Sequence, residues 1–237
     1  MHGPIVIVKA GTTLPAIKQC CGDYEAWFRR GLTRPTVVCQ AHLAERPPAP
    51  RDCAGILITG SPASVMDGEA WMEDLCDYVR RAAAEGVPVL GVCFGHQLIG
   101  RAFGCPVRRT PAGWELGTRE VALSAEGRRD QLFWGMPERF AAQMSHRDEI
   151  GAVNADVRVL AANPHSAVQA IAVGDHVRGV QFHPEADPEI ARLFITARSE
   201  VLLDAGLSPE RLVETVTSAP LPERVLGNFE ERFVGRG

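Results

Sequence analysis

The 237-residue sequence predicts an α/β fold: an open, mostly parallel sheet with helices on both faces, plus a small antiparallel strand addition. Three observations carry that prediction. Four short, β-branched, nearly uninterrupted apolar runs occur before residue 93, the pattern of strands buried on both faces. Stretches with helical spacing connect most of them. Between residues 107 and 182, short strand-like runs then follow one another too closely for helical crossovers, which points to hairpin-type pairing.

Taken in order, Pro4–Ala10 (PIVIVKA) reads as the first buried strand, and residues 14–30 as a helix. Thr36–Gln40 (TVVCQ) is the second strand, and Glu45–Pro50 (ERPPAP) is a proline-rich loop. Gly55–Thr59 (GILIT) is the third strand, ended by the turn signal Gly60-Ser61-Pro62. Over residues 69–85, Trp71, Leu75, Tyr78, Val79 and Ala82 fall near one helical face, and Gly86 supplies a C-terminal stop. Val87–Val92 is the fourth strand. Strand patterns follow at 107–123, 140–144, 157–161, 167–173 and 177–182. Helices are expected at 188–204, at 208–217 behind the cap Ser208-Pro209-Glu210, and at 221–233. No repeat or linker divides the chain. It reads as one domain over 1–237, with 204–237 a helical C-terminal extension.

Composition removes several function classes. There are 25 Lys+Arg against 29 Asp+Glu, a net charge of −4, so no nucleic-acid surface is expected. The longest mostly apolar run, Gly86–Phe94, is far short of the ~20 residues a bilayer needs, so no membrane partner is expected either. Seven cysteines, an odd number with no Cys-x-x-Cys pair, suggest neither a disulfide framework nor a zinc site. The expected setting is the cytoplasm. No His/Cys/carboxylate spacing suggests a metal, and no cofactor is expected.

The most informative segment is Val89–Gly104 (VLGVCFGHQLIGRAFG). A buried strand runs directly into Gly91-Val92-Cys93-Phe94-Gly95, and a helix pattern begins at once. Gly-x-Cys-x-Gly is the cysteine form of a nucleophile elbow, in which glycines flank a strained strand-to-helix turn. The turn presents the sulfur at the carboxyl edge of the sheet, where open α/β sheets bind ligands, and at a helix N-terminus, which favours a thiolate. The other expectation for a free cysteine is a buried apolar one.

A base and its orienter follow at Val177–Glu185 (VRGVQFHPE). A strand ends at His183-Pro184-Glu185, and in an extended chain positions i and i+2 point to one side. A carboxylate beside an imidazole fixes its tautomer, which is the third-member role in a nucleophile–base–acid set. His96, three residues beyond Cys93, reads as a packing residue.

With these segments together, the sequence resembles class I (triad-type) glutamine amidotransferase domains of the free-standing, GMP-synthase-like kind. The resemblance rests on GVCFGHQ at 91–97, QFHPE at 181–185, ILITGSPASV at 56–65 and AQMSHRDEI at 142–150, and spans about residues 5–200. It implies a flavodoxin-like sheet and a glutaminase with Cys93 as nucleophile and His183 and Glu185 as its partners. It further implies an oxyanion hole from the backbone N–H groups of Gly60 and Phe94, and substrate contacts at Gln97, Ser145 and His146. The segment Gly113–Gly117 (GWELG) also resembles a stretch near the family's site. There, Glu115 is either a ligand for a substrate ammonium or an exposed strand-edge carboxylate.

Three functions stay open at this level. The first releases ammonia from L-glutamine for a separate synthetase subunit. The second is a stand-alone γ-glutamyl peptidase or hydrolase using the same chemistry on another γ-glutamyl amide. The third is a non-catalytic or thiol-sensing subunit. The length leaves no room for a synthetase module behind residue 200, and no phosphate-binding loop is present, since GSPASV at 60–65 lacks the Lys of a Walker loop. The chain is therefore expected not to be a complete GMP synthase.

Overall fold

The computed structural model describes residues 3–235. Strands β1 (Ile5–Val8), β2 (Thr36–Cys39), β3 (Gly55–Ile58) and β4 (Val89–Val92) pair in parallel in the order β2-β1-β3-β4. Seven more strands follow: β5 (Val107–Arg109), β6 (Glu115–Leu123), β7 (Arg139–His146), β8 (Asp148–Ile150), β9 (Val157–Ala162), β10 (Ala170–Val173) and β11 (Val177–Val180). β11 joins β4 in parallel with Gly179 opposite Gly91, and the sheet continues antiparallel through β10, β9, β6 and β7. β5 and β8 make a separate two-stranded ribbon.

The helices are α1 (Pro15–Cys21), α2 (Tyr24–Arg30), α3 (Ala70–Ala84), α4 (Phe94–Ala102), α5 (Pro188–Thr196), α6 (Ser199–Asp204), α7 (Pro209–Glu214) and α8 (Arg224–Phe229). Period-two alternation in the strands sends side chains to two separate cores. Ile5, Ile7, Leu57 and Leu90 pack with Ile17, Trp27, Phe28, Phe194 and Phe229 from α1, α2, α5 and α8. Val6, Val8, Ile56, Ile58 and Val89 pack on the other face with Leu75, Tyr78 and Val79 of α3 and Leu98 and Ile99 of α4. Among the described residues no helix is long and apolar enough to cross a membrane.

Three expected elements are interrupted, each for a local reason. Residues 14–30 form two helices, because Gly22 is left-handed (φ 83) and the Asp23 carboxylate accepts the amides of Thr13 and Tyr24. That carboxylate also meets Lys9 Nζ at 2.7 Å, and Glu25 meets the same ammonium at 2.9 Å, so a buried ion cluster anchors the β1–α1 loop. The 107–123 strand breaks into β5 and β6 around Gly113 (φ 82). The 188–204 helix breaks at Arg198 (φ −114, ψ 16), where the Thr196 and Ser199 hydroxyls bond to the carbonyls of Arg192 and Thr196. Such side-chain bonds compete with the helical ladder.

The C-terminal segment packs on the first core face. Val225, Leu226 and Phe229 of α8 are buried. Asn228 Nδ2 donates to the carbonyls of Leu132 (2.9 Å) and Trp134 (3.0 Å), and the Glu230 carboxylate accepts the amides of Thr33 (2.7 Å) and Arg34 (2.9 Å).

Candidate active site

Cys93 joins β4 to α4 with φ 52 and ψ −102, a conformation side-chain-bearing residues rarely adopt. Both of its neighbours demand it. Its amide continues the sheet by donating to Val180 O at 2.9 Å, while its carbonyl already accepts the amide of Gln97 at 3.1 Å and so opens the helix. Strand and helix then lie so close that a Cβ on Gly91 would stand 2.4 Å from Gly95 O, and one on Gly95 would stand 2.5 Å from Ile58 O. The Gly-x-Cys-x-Gly spacing is thus a steric consequence of the elbow.

The parallel β4–β11 pair carries His183 to the same edge of the sheet. The His183 amide donates to Gln143 O at 2.9 Å, and Nδ1 meets Glu185 Oε1 at 2.8 Å, with both side chains buried. Among the described residues Nε2 and the second Glu185 oxygen have no hydrogen-bond partner. Burial opposes charge on the ring, but the Glu185 carboxylate and the Cys93 sulfur outweigh it and push the imidazole up to about 10. Gly60 packs against this ring: a Cβ there would lie 3.3 Å from His183 Cε1. Phe94 is the first residue of α4, so its amide has no partner inside the helix.

A cavity of 430 Å³ opens at Cys93, lined also by Phe94, Gln97, Ser145 and His146. The Ser145 carbonyl lies 3.9 Å from Cys93 Sγ. Gln97 is tied rather than free, its Nε2 donating to Asp148 O (2.8 Å) and Gln181 Oε1 (3.0 Å). A larger groove of 870 Å³ runs between the proline-rich loop and α3, but no Cys or His lines it. Among the described residues no His/Cys/carboxylate group could hold a metal ion.

One reading of the sequence changes here. Glu115 is neither an exposed edge carboxylate nor open to a substrate ammonium. It is 1% exposed and meets His146 Nε2 at 2.7 Å, with Asn163 and Gln169 also donating to it. The β6–β7 register places the two residues directly opposite each other. Sequence reasoning also missed Arg198, which lines the cavity from the α5–α6 break. Its only signal is the pair of hydroxyl residues around it, Thr196 and Ser199. His96 is fully buried, and burial pushes its imidazole down to about 3, in keeping with a packing residue.

The model of the glutamine amidotransferase class-I family matches residues 28–199. The chain belongs to this family. Within the class-I amidotransferases, it is 37% identical over 132 residues to a GMP synthase [glutamine-hydrolyzing] of Aeropyrum pernix, covering 56% of this chain and 24% of that protein. It is 30% identical over 139 residues to gamma-glutamyl peptidase 3 of Arabidopsis thaliana, covering 57% and 56%. The chain therefore spans about a quarter of the synthase and just over half of the peptidase. The fold agrees with solved amidotransferase structures. That of a Thermotoga maritima glutamine amidotransferase superposes with a TM-score of 0.79 at 19% identity, covering 100% of both chains. One from Methylobacillus flagellatus gives 0.77 at 21%, covering 100% of this chain and 98% of that one.

Proposed function

We propose that the chain hydrolyses the γ-carboxamide of L-glutamine through a γ-glutamyl thioester on Cys93, releasing glutamate, and ammonia for a separate synthetase. The observation that carries this reading is the asymmetry of His183. Nδ1 is held by Glu185, while Nε2 is open and the Cys93 sulfur acts on the same ring. Nε2 takes the thiol proton, and a ring that stays protonated up to about pH 10 keeps it while the sulfur attacks the amide carbon. The amides of Gly60 and Phe94 receive the negative charge that develops on the carbonyl oxygen, a role typically worth ~3 kcal/mol per donor. His183 then protonates the departing nitrogen, the C–N bond breaks, and the thioester remains. Water gives a proton to His183 as it attacks the thioester, and glutamate leaves with the thiolate restored.

A second reading, a γ-glutamyl peptidase, is favoured by the size of the cavity. At 430 Å³ it lies within the ~300–1,000 Å³ typical of sites for larger ligands, more than the ten heavy atoms of glutamine call for. A thiol sensor would have no use for the His183–Glu185 pair. The test is glutamate release by wild type and Cys93→Ala, with hydroxylamine added to trap the acyl group as γ-glutamyl hydroxamate. Wild type is expected to turn over and form hydroxamate, and Cys93→Ala to lose both by at least about 10⁴-fold while melting like wild type. Turnover retained in Cys93→Ala would overturn the assignment.

A further inference from the structure

We propose that Arg198 binds a carboxylate carried by the departing amine, so that γ-glutamyl amino acids and peptides are favoured over the corresponding neutral amides. The inference rests on the thioester reading above and concerns the side of the cavity that reading leaves unused.

The cavity straddles the carboxyl edge of the sheet, and its walls come from opposite faces. Leu14, Ala197, Arg198 and Val201 belong to the α1/α5/α6 side, whereas Phe94 and Gln97 belong to the α3/α4 side. Cys93 stands between them. The carbon it attacks carries the glutamyl chain on one side and the scissile nitrogen on the other. With the glutamyl head group at Gln97, Ser145 and His146, the nitrogen and anything attached to it face the Arg198 wall. Glutamine presents only hydrogens there. A γ-glutamyl amino acid presents a carboxylate one carbon beyond the nitrogen.

Arg198 is suited to such a group. It lies in the non-helical break between α5 and α6 and is half-buried. Nη1 donates to Phe194 O at 2.9 Å, and the guanidinium carbon lies 5.5 Å from the Phe194 ring centroid. An arginine has five N–H donors, so most of this one's capacity is unused. Among the described residues no carboxylate pairs with it, while Arg109 in the same cavity is held by Asp148 at 2.6 Å. Arg147, the other arginine of the cavity without an acid partner, lies over Trp114 beside the Ser145–His146 corner. Burial works against the charge of this guanidinium, and only the Tyr24 hydroxyl and the Cys93 sulfur favour it; with no carboxylate beside it the cation gains from an incoming anion, and guanidinium–carboxylate geometry is bidentate. Leu14 and the half-exposed Val201 add apolar surface on the same wall for an amino-acid side chain.

The test compares kcat/KM for γ-glutamylglycine and γ-glutamylglycinamide, which differ only in the terminal carboxylate. The wild-type ratio is expected to be about 10–100, the range of a hydrogen bond to a charged group. In Arg198→Met the ratio is expected to fall to near one, and in Arg198→Lys to recover in part. A wild-type ratio near one, or a ratio that Arg198→Met leaves unchanged while both rates fall together, would overturn the proposal. The second result would assign Arg198 to the thiolate or to the glutamyl carboxylate. Wild type that releases glutamate from neither peptide nor glutamine would instead sink the thioester reading itself.

Discussion

Two histidine–carboxylate pairs are built from the same parts, one beside Cys93 and one behind the wall of its cavity, and they differ in what they leave unbonded. His183–Glu185 and His146–Glu115 are both buried, with N···O distances of 2.8 and 2.7 Å. The His146 pair is closed. Its Nδ1 faces Asp148 O at 3.0 Å and its Nε2 faces Glu115. A backbone carbonyl and a carboxylate occupy the two ring nitrogens, so neither is left for another partner. Asn163 and Gln169 complete the Glu115 carboxylate. The His183 pair is open: among the described residues one ring nitrogen and one carboxylate oxygen have no hydrogen-bond partner, and the Cys93 sulfur is the further group that acts on the ring. The closed pair ties β6 to β7, whereas the open pair leaves a ring nitrogen free for the proton exchange proposed above. Which His–carboxylate contact does chemistry is decided by what is left unbonded, not by the contact itself.

Breaking each carboxylate should separate the two roles. The largest effect is expected from Glu185→Gln. The amide cannot stabilise the imidazolium and can select the wrong tautomer, so kcat should fall about 10³–10⁴-fold, as removal of a triad carboxylate does elsewhere. Stability at neutral pH should fall too, because the carboxylate that does most to raise His183 is gone. Steady-state kinetics and a melting curve on one preparation decide it. A kcat within tenfold of wild type would show that the open pair is structural after all.

Glu115→Gln should cost stability with little loss of activity. It disrupts the buried network in which His146, Asn163 and Gln169 converge on one carboxylate, a change that typically costs about 3 kcal/mol. For a chain of this size, that corresponds to a drop in melting temperature of about 10 °C. The expected kcat loss below the melting range is under about tenfold. If activity fell as far as in Glu185→Gln with the melting temperature unchanged, the distinction between closed and open pairs would collapse.

The open pair was legible in the sequence and the closed one was not, for a physical reason. His183 and Glu185 are two positions apart in the turn that follows β11, where the sequence pattern expects an extended chain, and Gly91, Cys93 and Gly95 satisfy a local steric demand. Both patterns are written within a few residues. Glu115 and His146 are 31 positions apart and meet only through the β6–β7 register. Lys9 and Asp23 likewise meet only once the β1–α1 loop closes, which is why residues 14–30 read as one helix. Arg198 reaches the cavity only because a helix stops two residues before it. The parallel sheet was readable because buried strands are locally apolar, but cross-strand partners and helix breaks depend on tertiary contacts that local patterning does not encode.

The smallest expected effect, and the one that puts both pairs in a single experiment, is the pH dependence of stability. His183 titrates near 6.5 when free and is raised to about 10 in the fold. Its contribution is therefore complete below about pH 6.5 and is lost as the pH climbs through about 10. Glu115 moves the other way. Burial alone would raise its carboxyl, but His146 and Asn163 outweigh it and hold it below its usual 4.5. Its contribution is present above 4.5 and is lost as the pH falls through the depressed value. Urea melts from pH 3 to 10 should then show Glu185→Gln flattening the alkaline limb and Glu115→Gln flattening the acid limb, each by at most ~1.4 kcal/mol per pH unit. The acid limb should not vanish in Glu115→Gln, because Asp23, also held low against burial by Lys9 and two backbone amides, loses its contribution over the same range. A Glu185→Gln variant whose alkaline limb ran parallel to wild type would mean that Glu185 does not hold the His183 proton. The open pair would then have lost the property that distinguishes it from the closed one.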